Sequence, residues 1–584
     1  MNKATAARLS ALEQSKSRHE RDSAAAVEKL LGSLKDFRPG DAESLVRFHD
    51  ALLFLRAFPQ SRKVVLLTES LLAGIAAQVA RLRKSGVDLG AIDCDQFSGI
   101  AGTAISDTFT YDVARWLAQR YPEHLNVEWD FDEQGRQMAV SLPQLLPLLA
   151  DDSLVEADTP FADWLGDAAG GSRNILPWLL ARVEATSMSP LEKTAFYDAL
   201  RVNLTWELAD ADASRTLTRH GPSEMFIHRE PLIKRSQVSL QEELSAQPLP
   251  VRKLSRPEGE KLLDIVRAAL TVRYRELYGT TRGDPESVME ADAGRGVRIF
   301  LWGLPPERRL PLRAYHAGLT LKNGVPINYI EGISLCEWME VGFNTFYAYR
   351  EGETAWIYAK VLHLLHQLTD VTCFSVYPYQ LGDQNEEAIK SGAFWFYRKL
   401  GFRPGVPELL KLTEREEAKI RSRPGYRSSA RVLRKLAAEH VFYEFGEERR
   451  GVWDTFSARN IGLAVQRRMA EEFNGDPDKM RCAGTASLAR ILHVDPAEWS
   501  AIERAAFENF ALVLLLAPQV KSWTNHEKQA LLQVILAKVE GEESDYLRRL
   551  QRHRALRSAL VALGSSSPAG NGKSNAKSAS LAGI

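Results

Sequence analysis

The sequence predicts an α+β multidomain protein, with a central mixed α/β domain flanked by mainly α-helical N- and C-terminal regions. Three observations carry that expectation. Apolar residues recur near a helical period before about residue 245 and again after about residue 405. Alternating runs rich in β-branched and aromatic residues cluster between residues 297 and 349. From Gly352 to Phe402 the order is a glycine turn, a helix, a strand and a second helix. A chain of 584 residues exceeds one ordinary core, so several domains are the starting expectation.

Residues 1–40 are Ala-rich and alternate in charge, which predicts an exposed helical N-terminus. The mainly helical domain is set at 41–245. Its apolar stripe runs through Leu52, Leu55, Val64, Leu67, Leu71, Leu72, Ile75 and Val79 and is punctuated by Pro59. Pro248, Pro250 and Pro257 mark 246–258 as a linker. The mixed domain follows at 259–445. Leu262, Ile265, Val266, Ala269 and Leu270 give its first helix. Strands are expected at Val297–Trp302, Leu312–Leu321, Val325–Cys336 and Val341–Tyr349, with Asn323-Gly324 as a hairpin turn between the second and third. Ile357, Val361, Leu364, Leu365 and Leu368 line one face of the next helix. A strand over Val371–Tyr377, a helix over Glu386–Leu400 stopped by Gly401, and a last strand at Val441–Phe445 complete the domain. A helical C-terminal region spans 446–563. Residues 564–584, rich in Gly, Ser, Asn and Lys, have too little apolar surface to order themselves and are expected to be a disordered tail.

Lys plus Arg and Asp plus Glu number 75 each, so the formal net charge is zero. That balance gives no support to a whole-chain attraction for nucleic acid or an anionic membrane. Arg548, Arg549, Arg552, Arg554 and Arg557 form a local basic run. A solvated helix face explains it better than a nucleic-acid contact. Cys94, Cys336, Cys373 and Cys482 are far apart and none has CxxC spacing, which points away from a disulfide framework or a zinc site. His363 and His366 share a helix face but lack a third ligand, so no metal is expected. The charged N-terminus lacks the apolar core of a signal peptide, and the apolar run Phe510–Pro518 is too short to span a bilayer. The expected location is the cytoplasm.

The chemistry concentrates at Phe343–Ala355. A strand ends, Gly352 permits a tight turn, and a helix begins near Thr354. The first N–H groups of a helix lack internal partners and its dipole is positive there, so this corner is suited to a phosphate, with Arg350 adding a charge. After the next strand, the second helix ends in Phe396-Tyr397-Arg398-Lys399-Leu400-Gly401-Phe402. Tyr397 has a bland alternative as a core tyrosine, Arg350 as an exposed strand-end charge, and Asn385 as a helix cap.

This order, together with the Tyr-Arg-Lys-Leu-Gly-Phe ending, resembles the GNAT superfamily of acyl-CoA N-acyltransferases over roughly residues 256–445. The resemblance implies a turn whose amides hold the diphosphate of coenzyme A, and a Tyr four residues before Gly-Phe that protonates the departing thiolate. Carried onto this chain, Phe346, Tyr347, Tyr349, Arg350, Gly352, Glu353, Thr354, Ala355 and Asn385 would bind acetyl-CoA or another acyl-CoA. Tyr397 would be the acid. Two positions depart from the family pattern when it is anchored on Gly352: Tyr349 stands for Arg or Gln, and Thr354 for Gly or Ala. Asn385 also lies farther from Tyr397 than the family's Asn lies from its Tyr. Amine attack on a thioester needs a base as well, drawn from Glu331, Glu337 and Glu340, with Glu340 taken as the candidate. The expected function is acyl transfer to an amine of unknown identity. The alternative is a non-catalytic GNAT-like binding or scaffold protein.

Overall fold

The computed structural model describes residues 3–565, apart from 21, 129–137, 139, 147–160, 209–212, 222–223 and 447–449. Most of the expected tail therefore lies outside the described residues. At the centre is a nine-stranded sheet in the order β11-β12-β10-β9-β8-β7-β6-β5-β4. Its strands are β4 (Val251–Lys253), β5 (Met289–Gly294), β6 (Val297–Trp302), β7 (Ala314–Lys322), β8 (Val325–Leu335), β9 (Trp338–Thr345), β10 (Cys373–Val376), β11 (Arg403–Pro404) and β12 (Val441–Glu444). From β4 to β9 neighbouring strands pair antiparallel, and β10 joins β9 in parallel. That one parallel pair is bridged by the helix Thr354–Thr369, the crossover a parallel connection requires.

The β7–β8 hairpin turns at Asn323 and Gly324, where φ is 50° and 78°. Positive φ at both central residues matches the twist of the flanking strands, and Asn-Gly tolerates it best. The Asn323 side chain also donates to the carbonyls of Ala57 (2.9 Å) and Phe226 (3.0 Å) and accepts from the Phe226 N–H (2.8 Å). The hairpin tip thus holds the end of an N-terminal helix against the sheet.

Several boundaries differ from expectation, each for a packing reason. The N-terminal helices Lys3–Ser15 and Ser23–Ser33 are not exposed: Leu9, Leu12, Val27 and Leu31 are fully buried in the core that also holds the central sheet. The helices Ala42–Ala57, Arg62–Ala73 and Ile75–Lys84 join the same core through Leu52, Phe54, Val64, Leu72 and Val79. By length and composition Arg62–Lys84 could cross a membrane. The region set at 41–245 is therefore not one domain. Its later part, from Ile105 to Leu208, has a separate core and a three-stranded antiparallel sheet of β1 (Ala104–Asp107), β2 (Leu125–Glu128) and β3 (Asn203–Glu207). The proline-rich stretch 246–258 is no linker. It supplies β4 and then the helix Arg256–Thr271, whose start is fixed when the Ser255 N–H donates to Glu258 (2.9 Å). The strand β5 went unforeseen because its sequence, Met-Glu-Ala-Asp-Ala-Gly, has little β character. The helix expected over 386–400 breaks in two at Gly392, whose φ is 70°.

A third core joins the C-terminal helices to the sheet through Leu335, Cys336, Trp338 and Phe442. Lys538 and Glu543, both nearly fully buried, pair there, and the Glu543 carboxylate accepts the Tyr315 N–H at 3.2 Å. The C-terminal helices are thus bonded directly to β7.

Candidate functional site

The two parallel strands part soon after they meet. Trp338, Met339 and Glu340 of β9 lie opposite Cys373, Phe374 and Ser375 of β10. Beyond Glu340, β9 continues with its ladder on the β8 side alone. Gln380, in the short helix Pro378–Leu381, places its carboxamide in the opening. Its Oε1 accepts from the Phe343 N–H (3.4 Å) and from the Tyr397 hydroxyl (3.2 Å). A Cβ at Gly342 would sit 3.2 Å from the Gln380 Nε2, so the carboxamide lies close against the strand.

Tyr397 therefore reaches the parting of the strands. It also packs as a core residue against Tyr358 and Phe402, with ring centroids 5.7 Å away in each case. Burial raises its phenol well above the ordinary range, so the proton stays on oxygen. Glu340 projects from the other face of the sheet. Phe343 meets Tyr358 of the crossover helix (4.9 Å), and strand alternation puts Glu340 and Gly342 opposite. Glu340 is bonded to His440 Nε2 at 2.9 Å. Of the two other carboxylates weighed as base, Glu337 is locked into a buried pair with Arg557 and accepts from the Trp453 indole (3.1 Å). Glu331 is bonded to the Tyr315 hydroxyl, and burial raises its carboxyl.

The turn at Gly352 differs from the phosphate cradle expected there. Phe58, from the N-terminal helices, roofs it: a Cβ on Gly352 would lie 2.5 Å from the Phe58 ring. Glu353 is fully buried and supplies an internal anion. Its carboxylate takes Arg295 (2.5 Å), the Ile233 N–H (3.1 Å) and, at 3.6 Å, the buried Lys322 ammonium. Arg350 turns away from the corner. It donates to the Thr345 carbonyl (3.2 Å), pairs with Glu387 and stacks on the Tyr347 ring at 3.8 Å. Thr354 bonds back to the Arg350 carbonyl (3.4 Å), while Ala355 and Tyr349 are buried. Phe346 is tied to β8 through its N–H and the Ile327 carbonyl (2.9 Å). Asn385 is a helix cap, accepting the Ala388 N–H at 3.1 Å. In this arrangement the residues present do not fit the diphosphate of coenzyme A. The space is roofed by an aromatic ring, and a carboxylate of the chain already engages both cations.

Among the described residues no three His, Cys, Asp or Glu side chains are grouped to hold a metal ion, and His363 instead pairs with Glu243 (2.9 Å). Compared with known protein families, curated proteins and solved structures, the chain matches none.

Sequence reasoning missed Gln380, His440 and Phe58. Gln380 lies in a one-turn helix and His440 in a loop, neither within a motif. Phe58 directly follows the apolar helix Ala42–Ala57, and nothing local marks it as the residue that reaches residue 352.

Proposed function

We propose that this chain is a ligand-binding protein on a GNAT-like scaffold, in which the cleft that would take acyl-CoA is filled by the protein's own side chains. The scaffold part of the reading is supported by the parallel β9/β10 pair, its crossover helix and the Tyr397–Gly401–Phe402 ending beside the point where the strands separate. The observation that carries the binding role over catalysis is the buried Glu353 carboxylate under Phe58. It offers negative charge where a diphosphate needs positive charge and free amides. The test is calorimetric titration of the full chain with acetyl-CoA. No saturable heat is expected, and micromolar binding would overturn the reading.

An acyl-CoA N-acyltransferase is the second reading, favoured by one observation. Gln380 holds the opening between the strands with only two long hydrogen bonds, one of them to Tyr397. Such a plug is neutral and local, so Gln380→Ala removes it with the fold retained. Acetyl-CoA binding by that variant, with acyl transfer to an added amine, would move the assignment to an enzyme.

A further inference from the structure

A second cavity adjoins the end of β9 on the face away from the crossover helix. It encloses about 330 Å³ of free space, part of it open to solvent, which is room for a carboxylate group. Arg215, Arg273 and Arg275 line it together with Asp95, Tyr329, Asn344 and Phe346.

Arg273 is the distinctive residue. It is 5% exposed, yet no carboxylate pairs with it among the described residues. One nitrogen donates to the Ala269 carbonyl, its Nε has no partner, and the guanidinium lies 4.0 Å from the centre of the Phe346 ring. The other two arginines have partners. Arg275 pairs with Asp95 at 2.6 Å. Arg215 faces Asp50 at 3.5 Å and donates to the Gln96 carbonyl at 2.7 Å, although its own Nε also lacks a partner. Among the described residues three guanidinium groups thus face two carboxylates, leaving the buried Arg273 charge without a counterion of its own. A buried unpaired charge is costly, and a structure retains one where something else completes it. Burial and the neighbouring Arg215 also weaken the hold of Arg273 on its proton, to about 9.

We infer that this cavity binds a monoanionic carboxylate, either a small acid or the carboxylate end of a larger molecule. A guanidinium edge matches the two oxygens of a carboxylate. Tyr329 accepts from Asn344 at 3.2 Å and retains its own phenolic proton to donate. The charge deficit is a single unit and Asp95 lines the wall, so a dianionic phosphate would be repelled where a monoanion balances. The Phe346 ring supplies an apolar floor under the guanidinium. This site stands whether or not the cleft between β9 and β10 can open.

The test uses the full chain and sodium acetate in calorimetry at fixed ionic strength, with sodium chloride and inorganic phosphate as comparisons. Acetate is expected to bind saturably, and chloride and phosphate not. Arg273→Met should weaken acetate about tenfold or more by removing the charge. Asn344→Asp, which supplies the missing negative charge internally at a half-buried position, should do the same, and it is read on its own should Arg273→Met fail to fold. The inference is overturned by absence of saturable acetate binding, by equal affinity in the folded variants, or by phosphate binding in preference to acetate.

Discussion

Two cationic clusters lie at the end of β9, and they have been resolved in opposite ways. At the crossover turn, Arg295 and Lys322 converge on Glu353, a residue of the chain itself, and Phe58 seals the group. Arg273, by contrast, shares a cavity with two already engaged arginines and has no carboxylate of its own among the described residues. In the first cluster every cation contacts a carboxylate, whereas in the second Arg273 contacts none among the described residues. A buried cation therefore says little about ligand binding until its counterion has been found, because the same residue type can serve as a structural tie or as a receptor.

That contrast predicts opposite responses to removing one charge. Glu353→Gln strands the buried Lys322 and leaves the partly exposed Arg295 without its carboxylate, and should cost about 3–5 kcal/mol in urea unfolding. Arg273→Met removes a charge that has no carboxylate partner among the described residues and should cost nothing, or gain about 1 kcal/mol. Equal destabilisation by the two would erase the distinction between the clusters.

A smaller effect tests the seal. Gly352→Ala places a methyl against the Phe58 ring and should cost about 1–3 kcal/mol through overpacking. Phe58→Leu should relieve part of that cost in the double variant, and strictly additive losses in the cycle would show that the ring does not press on the turn.

The smallest effect is one of pH. Glu276, next to Arg275 in sequence, has its carboxyl raised to about 7 by burial, against 4.5 in the open chain, while it accepts the Thr110 N–H at 3.1 Å. The folded protein therefore holds this proton longer than the unfolded one. The associated stability is present below about pH 4.5 and is lost as pH rises through about 7. Glu276→Gln should raise Tm more at pH 8 than at pH 5, and an equal shift at both would show that the carboxyl titrates normally.

Much of the architecture was legible because it is written in local patterns. The Asn323-Gly324 turn, the alternation of β7 and β8, the apolar face Ile357–Leu365 and the stop at Gly401 all depend on neighbours within a few residues. Asn385 as a helix cap was readable on the same basis. The filling of the turn was not. Phe58, Arg295 and Lys322 come from distant segments, and nothing in a Gly-Glu-Thr-Ala string indicates whether its glutamate points to solvent or to two buried cations. Arg273 was equally hidden. It follows a helix end at Thr271, where a basic residue ordinarily serves the helix dipole, and only the packed structure shows it facing a cavity.

The contact between Phe58 and Gly352 has a consequence for assembly. The ring comes from near the start of the chain and the glycine from well beyond its midpoint, with a separately cored unit threaded between them. During synthesis the first helices emerge with Leu52, Phe54 and Phe58 ready for burial, but the surface they cover is made much later. Closing so distant a pair carries a large loop-entropy cost and slows folding. In a nascent chain, those early helices have to wait, apolar side outward, for the sheet that will receive them.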